Sequence, residues 1–550
     1  MLRMSRWLVI VFLALLVPVQ VRAADAETES QRTPTGVVEI ESGSLRGLAI
    51  GEQEDIHAFK GIPFAAPPVG ELRWQPPQPA ESWEGVRDCF KFGNASAQTV
   101  NPMLSAFPGM SLAAETSEDC LYLNIWRPAD APSEPLPVMV WIHGGGYVLG
   151  AASQPLYNGE QLARAGVVMV GVNYRLGAAG FLAHPALSAE SEHKASGNYG
   201  ILDQIAALEW VQRNIAAFGG DPDRVTIFGE SAGGGSVFTL LVSPLAKGLF
   251  HRAIAESGPS LTFAHLRESL WGFESAEETG LEIGRACGLE EPQTAEALRE
   301  LSIEQLLAKT PGMSGAPELR LRSNNLRMAP VVDGWVVPDD PMTIFAEGRQ
   351  NDVPLIVGSN RDEATMFTMM TRLPTSVEAA NELTRREFGG QAEAILAAYP
   401  VAARADIRRS INALLGDLIF VAPARYVARS MGNVSSPVYC YHFAHVPPGP
   451  TGAMMGAHHA SEIAYVFKQL SLAPTVSAAD ERIAELMQGY WVQFAATGDP
   501  NGEGLPNWPA FETESDEALV FGDDDIEVVS GLRKPQLDVI DAFMEDWRNE

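Results

Sequence analysis

Apolar residues fall along this chain in two rhythms. Short continuous runs bounded by turn residues recur at Val138-Met139-Val140-Trp141-Ile142, Val167 to Val172, Val225 to Phe228, Val353 to Val357 and Ser436 to Phe443. A run without a polar side suits a strand covered on both faces. Between the runs lie segments with apolar residues three or four apart. Leu202, Ile205, Leu208, Val211 and Ile215 predict a helix over 199–217, stopped at Phe218-Gly219-Gly220-Asp221-Pro222. Helices are also expected within 264–310 and 375–431, over 479–497 and over 534–549. Further short strands are expected at 37–40, 117–126 and 252–255. Strand, helix, strand repeated with buried strands predicts an α/β fold, a mostly parallel sheet with helices on both faces.

Three stretches lack either rhythm. Phe59 to Trp74 carries Pro63, Pro67 and Pro68, and is expected as an ordered loop rather than a helix or central strand. Residues 99–117 are apolar without a period, a packed cover or a lid over a pocket. Pro311 to Asn325 reads as irregular. No Ser/Gly-rich or charged linker divides the chain, so residues 24–550 are expected to form a single domain despite the length of 550.

Composition narrows the possibilities. Hydrophobic content of 46% with a mean hydropathy near zero describes a globular protein, and the net charge of −30 repels phosphate backbones and anionic membranes. Nucleic acid is therefore excluded as a partner, and no stable membrane anchor is expected. Residues 1–23 look like an export leader. Arg3 and Arg6 precede an apolar run, Trp7 to Val17, too short to span a bilayer, and Val21-Arg22-Ala23 offers a cleavage site. The protein is expected to be exported, periplasmic or secreted. Cys89, Cys120, Cys287 and Cys440 are too few to frame an exported chain of this size, so the core must carry stability.

The chemistry centres on Val225-Thr226-Ile227-Phe228-Gly229-Glu230-Ser231-Ala232-Gly233-Gly234-Gly235. Gly-x-Ser-x-Gly between a strand and a small-residue, then apolar, helix has the layout of a nucleophile elbow. In such sheets ligands bind beyond the carboxyl ends of the strands. His143-Gly144-Gly145-Gly146 leaves one of those ends with bare N–H groups. The amides of Gly145, Gly146 and Ala232 are candidates for binding an oxyanion, each donor lowering the barrier by about 3 kcal/mol. An acid should follow a later strand, and Asp362 and Glu363 both fit. The base should follow the acid, and His458 and His459 both fit. Adjacent histidines can suggest a metal, but no cysteine or His-x-x-x-His spacing supports one, so neither metal nor cofactor is expected.

These motifs resemble the type B carboxylesterases, the cholinesterase-like branch of the α/β-hydrolases. The resemblance rests on FKGIPFAAPPVGELRW, SEDCLYLN, HGGGY, NYRLG, NYGILDQ, FGGDP, FGESAGG, GSNRDE, HHASEI and WPAF, which span nearly all of residues 24–550. It implies an α/β-hydrolase fold, Glu363 as the acid, His459 as the base, and ion pairs Arg73–Glu118 and Arg175–Asp203. Relatives pair the cysteine of SEDCLYLN with one six or seven residues after the position of Cys89; here Ser96 stands nearby, which leaves a Cys89–Cys120 bridge open. Cholinesterases hold choline with a tryptophan about ten residues before SEDCLYLN's cysteine, and residues 91–119 contain none.

The expected function is a Ser231-His459-Glu363 carboxylic ester hydrolase working through an acyl-enzyme on neutral, short-to-medium esters, with water as second substrate. Alternatives are a catalytically silent binding module of the same fold, or amidase, thioesterase or lipase activity on the same triad. Glu230, Tyr147, Phe107, Met110 and Phe367 are the candidates for contacting substrate. Met103, Leu104, Met366, Met369, Met370, Met454 and Met455 crowd the same loops and suggest a methionine-lined pocket. A histidine base predicts activity that climbs through about pH 6–7.

Overall fold

The computed structural model describes residues 33–100, 105, 107–130, 133–259, 261–310, 328–369, 371–523 and 525–549. The expected leader and the 311–325 stretch lie outside the described residues. Eleven strands form the main sheet. In chain order they are β1 (Leu48–Ile50), β2 (Ile56–Pro63), β3 (Tyr122–Pro128), β4 (Leu136–Ile142), β5 (Val168–Val172) and β6 (Gly220–Glu230). Then come β7 (Arg252–Glu256), β8 (Leu355–Asn360), β9 (Val438–Phe443), β10 (Glu517–Phe521) and β11 (Ile526–Ser530). Their order across the sheet is β11-β10-β9-β8-β7-β6-β4-β5-β3-β2-β1. The block from β10 to β5 is parallel throughout, and both flanks are antiparallel. The carboxyl ends of β4, β6, β7, β8 and β9 therefore open on one edge.

Alternation along the central strands explains why they lack a polar side. Val138, Val140 and Ile142 of β4 pack into one apolar cluster, with Val170 and Ile227. Met139 and Trp141 face the opposite cluster, with Met169, Phe228 and Ile254. Trp141 is fully buried there, its ring 4.9 Å from those of Phe228 and Phe467. Helix α1 (Tyr199–Asn214) covers the first cluster, and helix α2 (Ala232–Val242) follows β6 directly. A third apolar cluster joins helices of the 377–430 region to the C-terminal helix Lys534–Asn549. The helical run Arg404–Asn433 is apolar enough to cross a membrane, but 72% of its apolar window is buried in the protein, as for a core helix.

Two elements differ from expectation. Residues 59–63 are not loop but the end of β2, paired with β3; the register shifts between Phe59 and Ile62, where Gly61 has φ 72°. Pro63 is tolerated because it ends the strand. The hairpin β10–β11 has no expected counterpart: its strands are short, mixed in polarity and at the sheet edge, so no apolar run marks them. All four cysteines are free thiols. Cys120 sits against the Ser96 hydroxyl, and burial raises both its thiol and that of Cys89 to about 12.

Both expected ion pairs are present. Arg73 Nε donates to Glu118 Oε1 at 2.7 Å. Arg175 leaves β5 and meets Asp203 on α1 through two guanidinium bonds of 2.8 Å, and its backbone N–H donates to the same carboxylate. Asp203 is completely buried, so removing its charge strands the guanidinium in the core. Asp203→Asn should lower stability by about 3–5 kcal/mol. The check is a urea midpoint that falls without a change in the slope of the transition.

Candidate active site

The edge is shaped first by backbone. Ser231 joins β6 to α2 at φ 57°, ψ −122°, a conformation costing on the order of 1–3 kcal/mol for a residue with a Cβ. Its N–H donates to the Glu256 carbonyl at 2.9 Å and its carbonyl accepts from Gly235 N–H at 2.8 Å. A Cβ on Gly233 would lie 2.0 Å from the Ile142 carbonyl, so only glycine lets α2 close onto β4. Ala232 begins α2, where N–H groups have no intrahelical acceptor.

The glycine loop after β4 runs beside the serine: a Cβ on Gly144 would lie 3.1 Å from Ser231 Cβ. Gly145 and Gly146 have φ 110° and 62°. The loop is pinned by Gln98, which bonds both the N–H and the carbonyl of Gly150, and by Tyr174, whose hydroxyl donates to the His143 carbonyl. Burial lowers His143 to about 4, which keeps its ring neutral.

Behind the serine stands a buried acid–base cluster. His459 Nδ1 donates to Glu363 Oε2 at 2.6 Å. Glu363 Oε1 also accepts from Ser257 Oγ and from Asn360 N–H, both at 2.7 Å. The rings of Phe420 and Phe367 lie 4.5 and 5.1 Å from that of His459. His459 Nε2 is buried and, among the described residues, has no hydrogen-bond partner; Glu230 Oε1 is 3.1 Å away, and that atom is unpartnered too. Glu462 accepts from Asn360 Nδ2 and Glu256 from Trp491 Nε1. Burial raises Glu230 to about 8 and Glu462 to about 7. Burial would lower His459, but Glu230, Glu363 and Glu462 outweigh it and raise the imidazole to about 9.

Gly144, Gly145, Glu230, Ser231 and His459 together border a cavity of ≈ 200 Å³. Its other walls are mainly apolar and include Phe107, Met110, Leu156, Met366, Pro447 and Leu472; among the described residues they include no arginine, lysine or tryptophan.

A serine at such a turn, an imidazole on a buried carboxylate and a glycine loop beside both are the parts of an acyl-transfer site. A profile described as "Carboxylesterase family" matches residues 34–540. The chain belongs to the carboxylesterase family. It is 39% identical to fumonisin B1 esterase of Sphingopyxis macrogoltabida over 499 residues, covering 89% of this chain and 87% of that protein. Para-nitrobenzyl esterase of Bacillus subtilis (strain 168) is 37% identical over 496 residues, 88% of this chain and 94% of the other. Among solved structures, a PNB esterase superposes with a TM-score of 0.77 at 34% identity, over 92% of this chain and 99% of that one. The chain is thus a carboxylic ester hydrolase of the α/β-hydrolase fold.

Within this carboxylesterase, Ser231, Glu363, His459, Gly145, Glu230, Phe107 and Met110 gather at the site. Phe367 reaches it by packing on His459. Tyr147 is not among the cavity's lining residues: it is buried, its hydroxyl 2.5 Å from where a Cβ on Gly235 would be. Asp362 turns instead to Ala457 N–H and Arg361, and His458 Nδ1 to the His459 carbonyl. The methionine lining reduces to Met110 and Met366, since Met369 and Met454 are exposed and Met455 is core; Met103, Leu104 and Met370 lie outside the described residues. Ser257, Asn360 and Glu256 escaped sequence reasoning because each only supports another polar group. The one available signal was position: Glu256 pairs in register with Glu230, which places Ser257 at the same edge.

A base must be neutral to accept a proton, so kcat/KM rises with pH through its pKa. The raised His459 moves that rise above the pH 6–7 of an ordinary histidine, toward about 9. Glu230→Gln removes a negative charge that favours imidazolium, so the ascending limb should move to lower pH by about one to three units. A limb that stays in place would show that Glu230 carries no charge while the base titrates.

Proposed function

We propose that Ser231 is the nucleophile, His459 its base and Glu363 the group that orients the imidazole. The observation that carries this reading is the His459–Glu363 bond of 2.6 Å, with the other ring nitrogen, 3.1 Å from Glu230 Oε1, beside the cavity that Ser231 borders. Ser231 Oγ attacks the ester carbonyl while His459 Nε2 takes its proton. The carbonyl oxygen becomes an oxyanion bound by the amides of Gly145, Gly146 and Ala232. Collapse expels the alcohol, protonated by His459, and leaves an acyl-serine. Water, activated by the same imidazole, repeats the attack and releases the acid. Glu363 stabilises the imidazolium in both halves without itself taking a proton. An organophosphate fluoride should label Ser231 stoichiometrically, and Ser231→Ala should abolish both labelling and ester hydrolysis. Labelling of another serine in that variant would refute the assignment.

The substrate reading follows from the walls. A cavity bordered mainly by apolar side chains favours uncharged acyl and alcohol groups, at roughly 25 cal/mol per Å² buried. Among the described residues the lining has no arginine or lysine to pair with a carboxylate. Without a tryptophan among the described lining residues it lacks the strongest cation–π face, which contributes about 2 kcal/mol when desolvated. Neutral esters of short to medium length are therefore the proposed substrates. An aryl butyrate should exceed butyrylcholine in kcat/KM at equal pH and moderate salt. A tenfold advantage for the choline ester would overturn the neutral-pocket reading.

A further inference from the structure

Two loops form the far walls of the cavity, and neither pairs with the sheet. One runs from Pro447 into the first turn of helix Pro450–Met455, and the other from the 3-10 turn Leu470–Leu472 to Val476, just before helix Ala478–Thr497. Prolines at 447, 448, 450 and 474 stiffen both segments by fixing φ, and the two meet where a Cβ on Gly449 would lie 3.8 Å from Thr475 Oγ1, so the shape of this part of the cavity depends on where they are anchored.

Both are anchored on one buried side chain. His445 leaves β9 just ahead of the first loop and is 3% exposed. Its Nε2 donates to Asp480 Oδ1 at 2.8 Å, and its Nδ1 lies 2.9 Å from Asp523 Oδ1. Asp480 belongs to the helix that ends the second loop; it also accepts from Tyr465 Oη at 2.6 Å and from the N–H and hydroxyl of Ser477 in a capping box. Asp523, in the turn between β10 and β11, accepts from Val446 N–H at 2.8 Å, the residue preceding the first loop. The imidazole thus hydrogen-bonds the end of one wall, while its other nitrogen, which makes no hydrogen bond among the described residues, lies against the hairpin carboxylate that holds the start of the other wall. Asp480 and Tyr465 border the cavity; His445 and Asp523 do not, and the chemistry at Ser231 uses none of the four.

We infer that His445 is a positioning residue for substrate size: it holds in place the two segments that meet at this end of the cavity, and so shapes the seat of the longer apolar arm of the ester. The inference rests on the ester-hydrolase reading above. The test compares kcat and KM for p-nitrophenyl acetate and p-nitrophenyl hexanoate in wild type, His445→Asn and Asp523→Ala. Asn is too short to reach both carboxylates. Asp523 has a half-exposed side chain, so its removal buries nothing and keeps the test open if His445→Asn fails to fold. The hexanoate-to-acetate ratio of kcat/KM should fall at least fivefold in the variants, the loss residing in the hexanoate KM. A purely structural role would reduce the amount of active enzyme and leave the ratio alone. A ratio within twofold of wild type in Asp523→Ala overturns the inference without touching the Ser231 assignment, which stands or falls on organophosphate labelling.

Discussion

The approach of the Ile142 carbonyl to the turn around Ser231 governs the rest of the edge. A Cβ at Gly229 would lie 2.5 Å from that oxygen and one at Gly233 only 2.0 Å, so the strand–turn–helix closes because both positions lack one. Ile142 is also the last residue of β4, and His143-Gly144-Gly145-Gly146 continues from it. One contact therefore fixes the nucleophile's backbone and the glycine loop relative to each other. The strain at Ser231 is small beside what surrounds it: β4, β6 and β7 are buried on both faces, and the Glu256 carbonyl holds the serine N–H.

The same edge gathers charge that water cannot screen. Glu230, Glu256, Glu363 and Glu462 are all buried, with His459 among them. Like charges buried close together cannot all be ionised. Donors separate the four. Glu363 has Ser257, Asn360 and His459, which fix both of its oxygens and the plane of the ring. Among the described residues Glu256 has only Trp491 as a donor, and burial pushes it well above the carboxylate range. Carboxylates of one chemical type thus come to differ through their surroundings, as acid–base pairs at functional sites do. The strained elbow and the acid cluster are coupled by geometry, because Glu256 supports Ser231 through its carbonyl while its side chain enters the cluster.

Much of this was legible in the sequence because it follows short-range rules. The apolar runs at 138–142 and 225–228 announced strands buried on both faces, and Gly-x-Ser-x-Gly announced the turn. The choice of Glu363 over Asp362 was not accessible to periodicity. Both follow β8 by similar distances, and what separates them is that Asp362 bridges to the 457–458 loop while Glu363 points inward. The same holds for Tyr147, whose place in a glycine motif suggested the cavity but whose ring packs on Phe181. The β10–β11 hairpin was illegible because an edge strand needs only one apolar side. The partners of His445 lie 35 and 78 residues away in sequence, in segments with no motif in common.

The division between sheet edge and loops has a kinetic consequence. Groups proposed to meet the transition state, namely Ser231, the amides of 145, 146 and 232, and His459, are held by strand ends, a helix start and a buried carboxylate. Their positions are set by packing that tolerates no added methyl at Gly233, so disturbing them removes stabilisation made only in the transition state and appears in kcat. The far walls are held at a few anchoring bonds and touch parts of the substrate that do not react. Contacts there strengthen substrate and transition state alike, and their loss appears in KM. A fold built this way can change which ester it accepts by altering 447–451 or 470–476, while the edge that carries out the reaction keeps its geometry.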